Sequence, residues 1–297
     1  MKLLLLGRNG MLGRALSPIL PQLGDLVAWG REEADFDDPA ALAEKIKREE
    51  PDIIVNAAAY TAVDAAEDDR ERAFRINADA VGAIGEAARS IAAFVVHYST
   101  DFVFDGASAA PYTEGDRPNP LSVYGQSKLA GERALGQSGA VCMVLRVSWT
   151  YSDHGKNFPL AILKLARTRD SIDVVADETG AATSVRLVAG ATVAALRQIA
   201  DNRALGGLYH LAASGVASRH ELARFIVGEA LAQGGKLTLR PEAINPIPAS
   251  AWPSKVRRPA NSAFDTTPFE SIFNVHLPPW QEGIRHLITT LRERGEL

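Results

Sequence analysis

Two short stretches carry the residue types for acid-base chemistry: Ser99-Thr100-Asp101, and Tyr124-Gly125-Gln126-Ser127-Lys128. The first places a hydroxyl pair at the end of an apolar run. The second sets a phenol and an amine four residues apart, about one helical turn, so both would lie on one helix face. A phenol with a pKa near 10 is a slow proton donor or acceptor at neutral pH, and a neighbouring ammonium that favours the phenolate brings it toward the useful range.

These groups need a scaffold and something to react with. The chain opens with an apolar strand, Leu3 to Leu6, then Gly7-Arg8-Asn9-Gly10-Met11-Leu12-Gly13, then a helical pattern through Leu16 and Leu20. A glycine triplet between strand and helix permits a tight turn, close backbone approach to a pyrophosphate and close packing of helix on strand. Gly7, Arg8, Gly10, Met11, Leu12 and Gly13 are therefore expected to bind a dinucleotide. Leu26 to Trp29 reads as a second strand. Gly30-Arg31 follows it, where an NAD-binding chain often has a carboxylate for the ribose. Arg8 and Arg31 are available for a 2′-phosphate, which tilts the expectation from NADH to NADPH, and Asp35-Phe36 is expected at the adenine end.

A helix is expected over Pro39 to Glu50 and a strand over Asp52 to Val55. The small residues after that strand, through Ala59-Tyr60-Thr61, suit a cofactor lying close to the backbone. A long helix is expected from Asp64–Glu71 through Ala88, then a strand from Phe94 to His97. Phe102 to Asn119 reads as a loop, Pro120 to Leu135 as the helix carrying Tyr124 and Lys128, and Val141 to Val147 as another strand. Alternating β and α elements imply an α/β fold: a Rossmann-type doubly wound parallel sheet with a smaller mixed α/β substrate-binding domain. Residues 1–150, with 185–213 returning to them, are expected to bind the dinucleotide, and 151–184 with 214–297 the second ligand. In such a sheet the strand ends at Gly7–Gly13, Asn56–Thr61, Ser99–Asp101 and Ser148–Tyr151 converge on one crevice.

The second half is read from helices over Asn157–Arg167, Val185–Ala200, Ser218–Gln233 and Trp280–Leu291, with short strands over Ile172–Ala176 and Gly207–Leu211. Pro241 to Pro259 reads as a proline-rich loop, with the basic cluster Lys255-Val256-Arg257-Arg258 at its end suited to gripping a diphosphate.

Composition bounds the partners. The chain has 297 residues, a formal charge of −4, one cysteine (Cys142) and six scattered histidines. No disulfide framework or metal-ligand spacing follows, and no metal is expected. The charge argues against nucleic-acid or anionic-membrane binding. With no run of about twenty apolar residues, the expectation is a cytoplasmic protein.

The ordered set of motifs resembles the extended short-chain dehydrogenase/reductase superfamily. More narrowly, Val55-Asn56-Ala57-Ala58-Ala59-Tyr60-Thr61-Ala62-Val63-Asp64, His97 to Phe104, Tyr124-Gly125-x-x-Lys128-x-x-Gly131-Glu132 and Arg258-Pro259-x-Asn261-Ser262 resemble the dTDP-4-dehydrorhamnose reductase family. The resemblance implies NAD(P)H-dependent reduction of the C4 ketone of dTDP-6-deoxy-L-lyxo-4-hexulose to dTDP-L-rhamnose. Tyr124 would be the proton donor, Lys128 the pKa-lowering and ribose-binding group, and Thr100 a hydrogen-bond partner of the carbonyl oxygen. Tyr98 would lie in the cofactor site, while Asp101, Trp149, Arg258 and Asn261 would meet the nucleotide-sugar. A homodimer is compatible with this reading. An epimerase or dehydratase that retains NAD, or a non-catalytic regulatory relative, would share the same fold.

Overall fold

The computed structural model describes residues 1–297. Six strands form one parallel sheet: β1 (Lys2–Leu6), β2 (Asp25–Trp29), β3 (Ile53–Asn56), β4 (Phe94–Thr100), β5 (Cys142–Val147) and β6 (Gly207–Leu211), in the order β6-β5-β4-β3-β1-β2. Leu6 registers with Trp29 on one side and with Asn56 on the other, so β1 is central and its run of leucines is buried on both faces. Leu3 and Leu5 face a core shared with the helix Val185–Asp201. Leu4 and Leu6 face a second core, shared with the helices Pro39–Glu49 and Ala80–Ser90. A doubly wound α/β sheet is thus built as expected, and β6 completes its far edge.

Several helix boundaries differ from the sequence reading. The first helix is only Met11–Leu16, because Pro18 removes a donor and the chain turns before a short 3₁₀ segment at Leu20–Gln22. The long helix expected after Asp64 is divided into Val63–Ala66, Arg70–Phe74, a π-helical turn Arg75–Asp79, and Ala80–Ser90. The Tyr124 helix begins at Val123, not Pro120, since the Ser122 hydroxyl accepts from Gly125 N at 3.1 Å and caps it; it runs to Gln137.

A third core lies outside the sheet, among Leu222 and Ile226 of Arg219–Ala232, Ile284 and Leu287 of Trp280–Glu293, and Ile162 of Phe158–Ala166. The Pro241–Pro259 region is not all loop: Ile244–Ile247 pairs in parallel with Ile172–Val175. Pro246 is accommodated because a two-stranded ribbon leaves one edge of that strand free of ladder bonds. No helix is long and apolar enough to cross a membrane.

Candidate active site

A cavity of about 680 Å³ opens at the carboxyl ends of the strands, where the connection after β1 and the connection after β3 part in opposite directions. Gly7, Gly10, Met11 and Leu12 line it from the first turn, Ala57 to Ala62 from the end of β3, Tyr98 and Ser99 from β4, and Val147 and Thr150 from the end of β5. Arg31, Asp35 and Phe36 line its far end, and Tyr124 and Lys128 its inner wall.

The glycine turn fits a ligand that must approach backbone closely. Gly7 has φ +87°, and a Cβ there would lie 2.8 Å from Ala58 N; a Cβ on Gly13 would lie 2.0 Å from Gly7 O. Gly13 therefore packs the helix onto the turn and does not line the cavity, whereas Gly10 meets only Gly7 O, at 3.4 Å, and leaves that side open. Those residues can hold a dinucleotide. Arg8 cannot reach a 2′-phosphate as placed: it donates to Ala28 O at 2.8 Å and to Glu33 at 2.9 Å. Glu33 also accepts from Gly30 N at 2.8 Å, so a carboxylate does follow β2, three residues later than the usual position. Its pKa is lowered, first by that backbone bond. Arg31 is left as the exposed cation on the cavity wall, near Asp37, which is held mainly by Arg72 at 2.8 Å.

The acid-base groups are placed differently from the simple helical-face argument. Lys128 is buried, and its Nζ donates to Tyr98 O at 2.7 Å and lies 3.2 Å from His97 Nε2. Burial lowers its pKa to about 8. The Tyr124 phenol, in edge contact with Phe102 at 5.5 Å, has its pKa pushed up to about 12: burial is the main cause, the Thr100 hydroxyl works against it, and the Asp101 charge adds to it. The expectation that Lys128 lowers this pKa is therefore corrected: Lys128 is not among the causes of the shift, its Nζ being turned to Tyr98 O and His97. Thr100 donates to Asp101 Oδ1 at 3.0 Å and accepts from Phe102 N at 3.2 Å. It would have to turn from Asp101 to donate to a carbonyl.

The remaining predicted residues are engaged within the protein. Tyr98 is buried in the core and bonds Thr192 at 2.9 Å, so only its edge and carbonyl serve the site. Tyr60 and Thr61 reach the cavity beside Ala59, with the Tyr60 backbone clasped by Asn77 through bonds of 2.8 and 3.0 Å. Asp101 is buried and accepts from Ser262 at 2.6 Å, a tie to the C-terminal segment that leaves it no direct face for substrate; burial raises its pKa. Asn261 spends its amide on Ser108 O and Ala110 O, both at 2.9 Å. Arg258 pairs with Asp64 at 3.2 Å and does not line the cavity. Trp149 has φ +44°, a conformation that stores backbone strain, and one face of its indole is covered by Arg219 at 4.1 Å.

Sequence reasoning missed Arg219, which bonds Glu178 at 2.9 Å and interacts with Arg258. It lay in a stretch read only as helix. It also missed His97 and Asn56 beneath Lys128: a histidine inside an apolar strand gives no local signal of what it faces. Asn77, inside a stretch read only as helix, ties elements together: besides clasping the Tyr60 backbone it donates to Ser127 Oγ at 3.0 Å.

Residues 1–293 match the family model described as the RmlD substrate binding domain. The chain is 41% identical over 295 residues, 98% of each chain, to the dTDP-4-dehydrorhamnose reductase of Shigella flexneri. It is 41% identical over 288 residues to that of Burkholderia thailandensis, covering 96% of this chain and 97% of the relative. Among solved structures, the Bacillus anthracis dTDP-4-dehydrorhamnose reductase in complex with NADP superposes with a TM-score of 0.88 at 28% identity, covering 97% of this chain and 99% of that one. The Thermus thermophilus UDP-glucose 4-epimerase shares the fold, with a TM-score of 0.76 at 19% identity over 98% of this chain and 99% of that one. Matched nearly end to end, with its glycine turn, Tyr124 and Lys128 on one cavity, the chain belongs to the dTDP-4-dehydrorhamnose reductase family.

Proposed function

We propose that the protein reduces the C4 ketone of dTDP-6-deoxy-L-lyxo-4-hexulose to dTDP-L-rhamnose with NADPH or NADH. The observation that carries this reading is the single cavity in which a glycine turn, small residues after β3, Tyr124 and Lys128 face one another. The reduced nicotinamide, when bound, supplies the hydride. The protein must supply a proton to the oxygen that becomes an alkoxide. Tyr124, kept protonated at neutral pH by its burial, delivers it, because an alkoxide is a stronger base than a phenolate. Thr100, turned from Asp101, steadies the developing charge. Lys128 orients the nicotinamide ribose. Gly7, Gly10, Met11 and Leu12 hold the pyrophosphate, and Arg31, Asp35 and Phe36 the adenosine end.

In the same reading, residues 1–150 with 185–213 form the dinucleotide-binding domain, and 151–184 with 214–297 hold the nucleotide-sugar. The third core, built from the helices of that second part, supports the division. Arg258, Trp149 and the neighbouring Arg219 form the rim that meets the nucleotide diphosphate and sugar, with Asp101 and Asn261 shaping it from behind. A homodimer belongs to this proposal and is tested by light scattering, which should return twice the 31.8 kDa of one chain.

The experiment is turnover of enzymatically prepared dTDP-6-deoxy-L-lyxo-4-hexulose, followed as loss of reduced-nicotinamide absorbance with each cofactor. Oxidation of NADPH or NADH that depends on the sugar is expected. No oxidation with either, under conditions where a known reductase turns over, refutes the proposal. Purification with tightly retained NAD would instead favour an epimerase or dehydratase.

A further inference from the structure

The end of the cavity farthest from Tyr124 is a slot with an apolar floor and a charged lid. Ala34, Phe36 and Ile76 line the cavity and belong to one buried apolar cluster, with Ala58 packed against it, so the floor is continuous. A pair of opposite charges spans the slot. Arg72, on the helix Arg70–Phe74, and Asp37, in the connection after β2, both line the cavity and approach each other from its two sides. The pairing is bidentate: Arg72 Nε lies 3.1 and 3.2 Å from the two carboxylate oxygens, and Nη2 lies 2.8 Å from Oδ2. Arg75 Nη1, 3.8 Å from Oδ1, brings a second cation to the same carboxylate.

Between groups as exposed as these, an ion pair adds little stability, and what two parallel bonds contribute is a fixed guanidinium plane. A guanidinium that commits Nε and Nη2 to a carboxylate has its flat face and Nη1 left for a ligand. We infer that Arg72 is a cofactor-binding residue that lays this face on the adenine, with Phe36 and Ile76 beneath the base and Asp37 holding the plane. A flat, electron-rich ring suits the gap, because stacking under a planar cation adds cation–π attraction to dispersion. A phosphate does not suit it. The forked edge with which an arginine grips phosphate is already taken by Asp37.

The inference deepens the proposed cofactor site and rests on its placing adenosine at the Arg31–Phe36 end. It also divides the work between two arginines: Arg31, the exposed cation on the same wall, meets the 2′-phosphate present only in NADPH, while Arg72 meets the base common to both cofactors. Local sequence conceals this role. Asp68-Asp69-Arg70-Glu71-Arg72 is a run of mixed charge that reads as a solvated helix start.

Dissociation constants of the free protein test the assignment, with NADH and NADPH titrated by reduced-nicotinamide fluorescence and ADP-ribose by displacement of NADH. Arg72→Lys keeps the charge and removes the plane. All three ligands should weaken by the same factor, about three- to tenfold. Arg72→Phe restores a flat face without the charge and should bind NADH more tightly than Arg72→Lys does. A loss confined to NADPH would put Arg72 on the 2′-phosphate, and a loss that spares ADP-ribose would put it on the nicotinamide half; either overturns the inference. Unchanged affinity for all three in Arg72→Lys, or weaker NADH binding by Arg72→Phe than by Arg72→Lys, overturns it as well. Arg72 is half-exposed, so neither substitution opens a hole in the core, and the urea midpoint of each variant checks that it is folded. A wild-type protein that binds none of the three ligands refutes the cofactor site itself. Binding without sugar-dependent oxidation refutes only the reductase reading and leaves the adenine contact standing.

Discussion

Tyr124 keeps its proton because the phenolate would be poorly solvated where the ring sits, and a pKa near 12 makes it a reservoir rather than a buffer. Tyr124→Phe removes only the hydroxyl. Sugar-dependent turnover should fall by about 10²- to 10⁴-fold while cofactor affinity, measured by fluorescence titration, changes little; unchanged turnover would remove Tyr124 from the role of donor. At the other end of the cavity, selectivity rests on a balance of Glu33, already committed to Gly30 N and Arg8, against the exposed Arg31. Arg31→Asp should lower kcat/KM for NADPH about tenfold relative to NADH, since it exchanges an attractive charge for a repulsive one at the 2′-phosphate. An unaltered ratio would show that Arg31 does not read that phosphate.

At the scale of elements, the site depends on how closely the Tyr124 helix, Val123–Gln137, lies on the π-helical turn Arg75–Asp79. Gly131 permits this approach: a Cβ there would fall 2.0 Å from Asn77 O, which is backbone and cannot swing aside. The same Asn77 clasps the Tyr60 backbone and reaches Ser127, so the turn couples the cavity floor to the catalytic helix. The extra backbone turn of the π segment brings Asn77 into place, a use such bulges often have near functional sites. Gly131→Ala should cost about 1–3 kcal/mol through overpacking, visible as a lower urea midpoint. It should also weaken cofactor binding, because Tyr60 is displaced with Asn77. A midpoint equal to the wild type would mean that the helix shifts freely.

Across the whole molecule, buried neutral histidines tie stability to pH. His210 on β6 donates from Nδ1 to Tyr112 O at 2.9 Å and lies beside Arg146; burial, aided by that guanidinium, lowers its pKa to about 3. The unfolded chain takes up a proton on this ring below about pH 6.5 and the folded chain does not, so its contribution is present above pH 6.5 and is lost as the pH falls. His97 acts in the same direction. Asp101, with its pKa raised by burial, acts in the opposite one: its contribution is full at low pH and is lost as the pH rises through its folded value. The His210 share is isolated by comparison with His210→Gln. Between pH 7.0 and 5.5 the wild type should lose about 1.2 kcal/mol more than the variant in urea unfolding. Equal losses would show that His210 is protonated in the folded state.

Local pattern determined much of this protein. Four consecutive leucines directly ahead of a glycine triplet read as a strand buried on both faces followed by a close turn, and the alternation of strands and helices implied a parallel sheet whose strand ends converge. The types of the acid-base residues were equally legible, because reactive side chains declare themselves by their chemistry. Partners were not. Arg8 faces Glu33, Asn261 faces the Ser108 and Ala110 carbonyls, and Lys128 faces His97, 31 positions away in the chain. Each depends on a contact between segments distant in sequence. The direction of the Tyr124 pKa shift was hidden for the same reason: spacing along a helix reports which groups are neighbours, whereas the cost of removing water from them is decided by everything that folds over them.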